Sequence, residues 1–196
     1  MSKISFVKTI IAKNDYKEKG KMGGIYLIHF DPAEKEGMGA YECVECSVSV
    51  TDYNAEEVKA EYEAWKTKHD AAELAYAIRS KVVEIEAYDT SSKVNGFALN
   101  GMTVWLDKAT RVGLMNSTTI AKAAGQQTTT LWLGDVKLEV DCDKAIQLLS
   151  ALEMYALECF NVTAAHKADV TKLETVEEVE AFDVTVGYPK QLEMKL

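Results

Sequence analysis

Apolar and polar residues alternate in three runs near the start of the chain. The runs are ISFVKTIIA, GIYLIHF and AYECVECSVSV, and glycines or an Asp-Pro pair separate them. Alternation with a period of two residues is typical of strands that cover one face of a sheet. The pattern therefore predicts a small antiparallel meander within residues 1–53. Three short strands expose one whole face, so we expect another element to pack on them.

Beyond this segment the apolar spacing changes to alternating steps of three and four residues, which is typical of a helix. Asn54 stands at the N-cap position and Glu57 follows three residues later, as in a capping box. The pattern predicts one helix over residues 54–88. At 1.5 Å per residue it would be roughly 50 Å long. A helix of this length either connects two modules or pairs with copies of itself.

The apolar stripe of the long helix allows two interpretations. The helix could pack on the sheet of its own chain, or it could form a seam with the same helix of other copies. We weigh the two equally, because about four heptads is near the minimum at which a coiled-coil pattern is informative. In the second case the predicted interface residues are Val58, Tyr62, Trp65, Ala72, Ile78 and Val82.

The remaining residues alternate between strand and helix signals. Asn100-Gly101 and Gly134-Asp135 each separate two apolar runs and predict β-hairpins. Between them, residues 108–124 have helical spacing, with Gly125 as the stop. The inward positions predicted for this helix are Val112, Met115, Ile120 and Ala123.

Two further helices follow the second hairpin. A long one starts near Asp143, and a capping box at Thr175 starts a short one. Gly187 and Pro189 are expected to close the ordered chain. The whole pattern predicts an α+β fold. It comprises a small N-terminal antiparallel β meander (1–53), a long connecting helix (54–88) and a C-terminal ββαββ-αα domain (89–196).

The charge balance limits the classes of partner. The chain carries 22 Lys and Arg against 31 Asp and Glu, a formal net charge of -9. A field of this sign repels phosphate backbones and anionic membrane surfaces, so we expect neither nucleic acid nor a membrane as partner. The sequence shows no signal-peptide pattern and no run of about 18 apolar residues. We therefore expect a soluble protein that folds in a cytoplasm.

Cys159 and His166 lie seven residues apart in the stretch LEMYALECFNVTAAHK. On one helix they would face the same way but stand about 10 Å apart along the axis. A nucleophile and its base must approach to about 3 Å, and helical metal ligands need a shorter spacing. We therefore interpret both residues as structural. The stripe typical of core packing comprises Leu149, Leu152, Tyr155 or Ala156, Cys159, Val162 and His166.

Cys43 and Cys46 have the C-x-x-C spacing of zinc and redox sites. Within a strand, however, an offset of three residues directs the two sulfurs to opposite faces. A zinc site would also need a second pair of ligands, and a redox motif would stand at a helix N-terminus. We interpret both as strand cysteines. With four cysteines in the chain, we also expect no disulfide scaffold.

The sequence contains none of the common phosphate-binding, hydrolase or zinc-protease motifs. Its histidines, His29, His69 and His166, lie in three separate segments. We therefore predict no catalytic, cofactor-binding or metal-binding residues and no enzymatic activity. An enzyme that uses His29 or His166 with a distant partner is kept as an alternative.

Several residues of the C-terminal half form an arrangement found in a known family. A strand ends in Trp105-Leu106-Asp107, a helix with Arg111 follows, and the chain later reads Gly187-Tyr188-Pro189. The long helix between them carries Tyr155, Ala156, Cys159, Asn161, Thr163 and His166. This arrangement resembles a domain-of-unknown-function family encoded by tailed bacteriophages and prophages, often of gut bacteria. The resemblance covers roughly residues 75–192.

The resemblance implies a context rather than a reaction, because members of that family are small phage proteins, commonly from the structural or tail region. We expect a virion structural protein of the tail or head-to-tail region, present in the virion and, during assembly, in the host cytoplasm. Its expected partners are other phage structural proteins and copies of itself. Two alternatives stay open: a tail-fibre assembly factor absent from the mature particle, and an anti-defence inhibitor of a host protein. Asp107 and Arg111 would cap and pair at a helix start.

Overall fold

The computed structural model describes residues 4–195. The chain divides into two compact units, Met1–Glu73 and Leu74–Leu196, whose outermost residues 1–3 and 196 lie outside the described range. The division falls inside one helix, α1 (Ala55–Asp89), which matches the length predicted from the sequence. The predicted segments at 1–53 and 89–196 also include the undescribed residues.

The first unit contains a four-stranded antiparallel sheet. Its strands are β1 (Ser5–Ala12), β2 (Lys19–Met22), β3 (Ile25–Lys35) and β4 (Ala40–Ser49), in the order β1-β4-β3-β2. The three predicted strands are confirmed as β1, β3 and β4, but β1 pairs with β4, so the sheet is not a simple meander. The sequence pattern missed β2, because its residues KGKM have no apolar alternation.

β3 extends further than the sequence pattern predicts. The Asp31-Pro32 pair, predicted to end the strand, instead lies in an irregularity of the ladder between Phe30 and Ala33. Asp31 has a φ of 48°. A bulge of this kind accommodates proline, which cannot donate a hydrogen bond to the ladder. Pairing with β4 then resumes as far as Lys35.

The start of α1 packs on this sheet. Asn54 caps the helix, because its Oδ1 accepts hydrogen bonds from the backbone N–H groups of Glu56 at 3.0 Å and Glu57 at 3.3 Å. Val58 and Tyr62 of the next turns are buried. The helix thereby covers the sheet face that was expected to need another element. The core of the unit comprises Ile28, Cys46, Val48 and Val58, with Phe6, Tyr26, Phe30 and Tyr53 beside them.

The second unit combines short sheets with helices, which confirms the α+β fold class. Three strands form a sheet in the order β6-β5-β9, with β9 parallel to β5, and β7 pairs with β8. The elements after α1 are α2 (Ser92–Asn95), β5 (Gly96–Leu99), β6 (Met102–Trp105), α3 (Lys108–Ala123), β7 (Thr128–Leu133), β8 (Val136–Asp141), α4 (Cys142–Val170), α5 (Val176–Ala181) and β9 (Leu192–Met194).

Local signals place most of these elements correctly. Both predicted hairpins are present, and Asn100 and Gly101 have φ values of 49° and 82°, as a two-residue hairpin turn requires. The capping box at Thr175 is also confirmed. The expected end of order at Gly187 and Pro189 is wrong, because β9 follows them. A three-residue strand carries no periodicity that a sequence could reveal.

Of the four residues of α3 predicted to face inward, Met115 packs against the core, but the other three are exposed. Val112 and Ile120 are 42% and 68% exposed, and Ala123 is exposed as well. Arg111 and Thr118 are buried in their place. The prediction followed the apolar residues alone, so it missed a buried arginine that is stabilised by hydrogen bonds to the Leu106 carbonyl oxygen and to Glu153.

Three apolar clusters stabilise the second unit, and one of them consists of Val94, Tyr155 and Cys159. The largest one lies between the hairpins and the first half of α4, and another joins Ile85 of α1 to Val170, Val179 and Val184. The largest cluster comprises Phe97, Leu99, Val104, Leu106, Leu131, Leu133, Ala145, Leu148, Leu149 and Leu152. Among residues 4–195, no helix has the length and the apolar character needed to cross a membrane.

Candidate functional site

A buried polar cluster lies along one face of α4, and we call it the α4 polar cluster. Tyr155, Cys159, Thr163 and His166 follow one another at helical spacing, and all four are buried. The first two share one acceptor. The carbonyl oxygen of Val94 accepts a hydrogen bond from the Tyr155 hydroxyl at 2.5 Å and one from Cys159 Sγ at 3.3 Å. These bonds join α4 to α2.

Thr163 is the centre of the cluster. Its hydroxyl donates to Asp89 Oδ1 at 2.7 Å and lies 2.9 Å from the hydroxyl of Tyr188. Because a threonine hydroxyl has one proton, the Tyr188 hydroxyl is the donor of the second bond. Thr163 Oγ1 also lies 3.1 Å from the carbonyl oxygen of Cys159, one turn earlier. One side chain therefore joins the end of α1, the middle of α4 and the C-terminal segment.

His166 completes the cluster as a packing surface. Its ring stands edge-on to Phe182 and Tyr188, with centroids 5.4 and 5.5 Å away. The residue is 8% exposed, and its Nδ1 has no hydrogen-bond partner within the described part of the chain. Edge-on aromatic packing of this kind stabilises a contact without any polar bond. The imidazole thus fixes the segment that follows α5.

The electrostatics of the cluster oppose nucleophilic chemistry. Burial raises the pKa of the Cys159 thiol, and burial raises the pKa of Tyr155 to about 12. A reactive cysteine needs the opposite shift, because the thiolate is the nucleophile. Cys159 and His166 are both buried, as the packing interpretation predicts. Within the predicted stripe Val162 and the alternative Ala156 are half-buried, and Thr163 takes the inward position beside Val162.

Arg111 and Asp107 have separate roles at the start of α3. Asp107 caps the helix by accepting hydrogen bonds from the backbone N–H and the hydroxyl of Thr110 at 2.8 and 2.7 Å, and these bonds lower its pKa. Arg111 does not form the predicted local pair. Its Nη1 donates to the carbonyl oxygen of Leu106 at 2.7 Å, and its Nε donates to Glu153 of α4 at 2.9 Å. The second of these acceptors is 42 residues away in the sequence.

The substitution Thr163→Val should lower the free energy of unfolding of the second unit by about 1–2 kcal/mol. Valine keeps the shape but leaves the half-buried Asp89 and Tyr188 without their shared partner, and polar groups shielded from water cost about this much when they lose a hydrogen bond. Thr119→Val is the matched control, because the Thr119 hydroxyl donates only to the backbone one turn earlier and is exposed. Chemical denaturation followed by circular dichroism measures both. Equal losses for the two variants would contradict a tertiary role for Thr163.

The first unit has a groove of about 160 Å³ beside the start of α1. Its helical wall includes the rings of Tyr62, Trp65 and His69, together with Lys66 and Asp70. Trp65 stacks on His69 with ring centroids 4.6 Å apart, and Tyr62 stacks on Phe30 at 4.0 Å. These stacked rings form an aromatic surface within the wall, and the opposite side adds Val44 of β4.

Two ion pairs include charged residues that line the groove. Asp31 accepts hydrogen bonds from the Tyr62 hydroxyl at 2.7 Å and from Lys66. The bonds from Lys66 and Tyr62 lower the pKa of Asp31. Lys8 donates to both carboxylate oxygens of Glu73, each at 2.9 Å, and this pair lowers the pKa of Glu73.

The stability of the first unit should fall as the pH drops below about 4, the usual carboxyl pKa. The pKa of Asp31 is lower in the folded protein than in the unfolded chain, so its stabilisation is present at neutral pH and is lost as the pH falls through the folded value. Asp31→Asn should therefore lower stability at neutral pH and reduce the loss on acidification. Urea unfolding at about pH 7 and about pH 3 tests this. Asp15→Asn, at an exposed position outside the groove, is the control.

Comparison with protein families gives one match. A family model described as "Domain of unknown function (DUF4376)" matches residues 56–186, about two thirds of the chain. The chain belongs to the DUF4376 family. The comparisons with curated proteins and with solved structures give no match.

The DUF4376 match includes the α4 polar cluster and its partner Asp89, but not its partner Tyr188. Asp89, Arg111 and the inward face of α4 lie inside it. It starts at residue 56, earlier than the resemblance predicted from the sequence, and it ends before Gly187-Tyr188-Pro189. A resemblance to a domain of unknown function is thus confirmed, and its extent is corrected.

The predicted interface residues have different environments in this DUF4376 protein. Val58 and Tyr62 are 2% and 3% exposed, because they pack inside the first unit. Trp65, Ile78 and Val82 are half-buried, and Ala72 is exposed. The first part of the apolar stripe of α1 therefore packs on the sheet of its own chain, which is the first of the two interpretations. Self-association through the rest of α1 stays a prediction.

Cys43, Cys46 and His29 have structural surroundings. Cys43 and Cys46 lie in β4, where residues three apart point to opposite faces, and both are free and buried. Burial raises the pKa of Cys46 to about 11. His29 has its two ring nitrogens 2.5 Å from the Lys17 carbonyl oxygen and 3.2 Å from Glu45 Oε2. Within the described range, no three His, Cys, Asp or Glu side chains are placed to hold a metal ion.

Proposed function

We propose that this protein is a bacteriophage virion structural protein of the tail or head-to-tail region, and that it acts through protein contacts. The observation that carries the proposal is the number of large apolar side chains at the surface of the second unit. These are Tyr76, Val83, Met102, Trp105, Val112, Ile120, Trp132, Met154, Leu157, Phe160 and Val186.

The second half of α4 is the strongest example. Met154, Leu157 and Phe160 follow one another at steps of three residues and are 60%, 49% and 61% exposed. Exposed apolar side chains that are grouped in this way mark contact sites for other proteins. Aromatic residues and methionine are enriched at such interfaces. The buried face of the same helix stabilises the fold, so the exposed face is available for a partner.

The phage context rests on the sequence arrangement that contains Trp105-Leu106-Asp107, the inward residues of α4 and Gly187-Tyr188-Pro189. Membership of the DUF4376 family supports the resemblance at the level of a family whose function is unknown. The proposed partners are other phage structural proteins and further copies of this chain. The net charge of -9 favours protein partners over nucleic acid or anionic membranes.

The experiment that tests the proposal is quantitative mass spectrometry of purified virions from a phage that encodes this chain, alongside the infected-cell lysate. We expect the protein in the particle at a stoichiometry that matches tail or portal components. Abundance in the lysate with absence from the particle would overturn the proposal. That result would favour a tail-fibre assembly factor, or an anti-defence inhibitor whose acidic surface binds a basic host protein.

A substitution tests whether the exposed face of α4 contacts other proteins in the phage particle. Phe160→Ser should reduce the amount of this protein in the particle several-fold, because it removes an exposed aromatic contact while leaving the buried face unchanged. Asn161→Ser, at the next exposed position, is the matched control and should be incorporated normally. Equal incorporation of both variants would exclude Phe160 from the contact.

A further inference from the structure

The two edges of the sheet in the first unit differ in their protection against further pairing. β2, at one edge, has four residues, and two of them are lysines. β1, at the other edge, has eight residues, one lysine and no proline, and its ladder with β4 is regular throughout. Natural sheets keep edge strands short, charged or irregular, because an open edge is a template for another strand. β1 has none of these protections except Lys8.

Lys8 forms a partly exposed ion pair within its own unit. Its Nζ binds both carboxylate oxygens of Glu73 at 2.9 Å. Val7 and Ile10, on either side, are 56% and 53% exposed. The edge therefore presents apolar side chains and a lysine whose charge is paired within its own unit. β1 is also the longest edge strand in the part of the chain that the structure describes.

The hydrogen bond from Lys13 N to the carbonyl oxygen of Gly39 at 3.0 Å shows which backbone groups face outward. In an antiparallel ladder every second residue exchanges hydrogen bonds with the partner strand. Because Lys13 is odd-numbered and bonds toward β4, the odd-numbered residues of β1 form the backbone hydrogen bonds with β4. Phe6, Lys8 and Ile10 direct their N–H and C=O groups away from β4, toward the open edge.

We propose that β1 pairs antiparallel with β1 of a second copy of this chain, with Thr9 on the two-fold axis. The pairing joins the two four-stranded sheets into one continuous sheet across the dimer. A two-fold axis perpendicular to the sheet keeps each face continuous, so residues that oppose each other must both be even-numbered or both odd-numbered.

The side chains select the register. An axis at Lys8 would place this lysine directly opposite its own copy, and like charges in that position are destabilising. An axis at Thr9 removes this repulsion. It opposes Thr9 with its copy, Val7 with Ile11 of the partner subunit, and Lys8 with Ile10 of the partner subunit. Threonine pairs and β-branched apolar pairs are favourable cross-strand neighbours. The outward groups of the even-numbered residues then form the hydrogen bonds between the copies.

A disulfide test measures the register directly. In the proposed dimer, Thr9 and its copy form a pair without backbone hydrogen bonds, with Cα atoms about 4.5 Å apart, which a disulfide can span. Thr9→Cys should therefore give a covalent dimer under mild oxidation, whereas Lys8→Cys should not. The native cysteines are all buried and give no competing cross-link. A covalent dimer from Lys8→Cys alone would overturn the Thr9 register.

A proline pair tests whether the edge itself is the interface. Ile10→Pro removes an outward N–H group, which the fold of the chain does not use, and should weaken dimerisation at least tenfold in sedimentation velocity. Lys21→Pro is the matched control on the β2 edge, where the bond from His29 N to Glu18 O places Lys21 N–H outward as well. It should leave the dimer unchanged. Circular dichroism confirms that both variants are folded.

Three results would overturn the inference. They are a wild-type monomer of 21.7 kDa at all concentrations up to the millimolar range, a dimer that Ile10→Pro leaves intact, and equal weakening by the two proline variants. The inference specifies how copies of this chain associate. It rests on the proposed function only in assuming that the chain self-associates. A dimer in solution from a protein absent from virions would remove the virion role and keep the edge pairing, so the two failures are distinguishable.

Discussion

Leu149→Ala is expected to lower the free energy of unfolding of the second unit by about 3 kcal/mol. Leu149 is 1% exposed and lies in the largest apolar cluster, which α4 shares with both hairpins. The substitution removes buried methyl groups and leaves a cavity that neighbours on several elements cannot fill together. Urea unfolding followed by circular dichroism measures the change as a lower transition midpoint.

The matched control lies on the same helix. Leu157→Ala makes the same chemical change at a position that is 49% exposed. We expect its effect to stay within about 0.5 kcal/mol, as for most surface substitutions. If the two variants lost the same stability, burial of Leu149 would not explain the first result. Normal folding of Leu157→Ala also makes it a suitable variant for contact experiments on the exposed face of α4.

Arg111→Ala is expected to cost about 2 kcal/mol of unfolding free energy. The substitution leaves the buried carbonyl oxygen of Leu106 and the carboxylate of Glu153 without their donor. Removal of one partner of a buried ion pair alone can cost about 3–5 kcal/mol. Because the Glu153 side chain is 35% exposed, water replaces part of its lost bond, and we discount the value accordingly.

Two controls separate the two acceptors of Arg111. Glu153→Gln keeps an oxygen that can accept from Arg111 Nε and leaves the bond to Leu106, so its cost should stay below about 1 kcal/mol. Lys108→Ala removes an exposed positive charge from the same helix and should be nearly neutral. The arginine would have no structural role if its loss cost no more than the loss of Lys108.

Short-range signals made much of the fold predictable. Asn54 and Thr175 cap their helices as their spacing predicts, and Asn100-Gly101 forms the hairpin turn. Each signal works because the interacting groups lie within four residues of one another. The helical stripe of α4 was equally informative, since burial at Leu149, Leu152 and Cys159 follows from periodicity alone.

The α4 polar cluster was only partly predictable. Its positions on α4 form a visible stripe, but Thr163 bonds to Asp89 and Tyr188, which lie 74 and 25 residues away. Nothing local in the sequence indicates those partners. The same holds for the inward face of α3, where Arg111 is buried because Glu153 and Leu106 provide acceptors. Apolar periodicity cannot find a buried charge.

By itself, the sequence determined the α+β class, the 35-residue α1 and the helix caps, because these depend on periodicity and on contacts between near neighbours. The tertiary structure alone decided the order β1-β4-β3-β2, the addition of β9 to β5 and the assembly of the α4 polar cluster. The physical reason is the distance along the chain. Strand order and buried hydrogen bonds depend on contacts between segments that are far apart in the sequence. A local sequence pattern does not show which distant segments will be in contact.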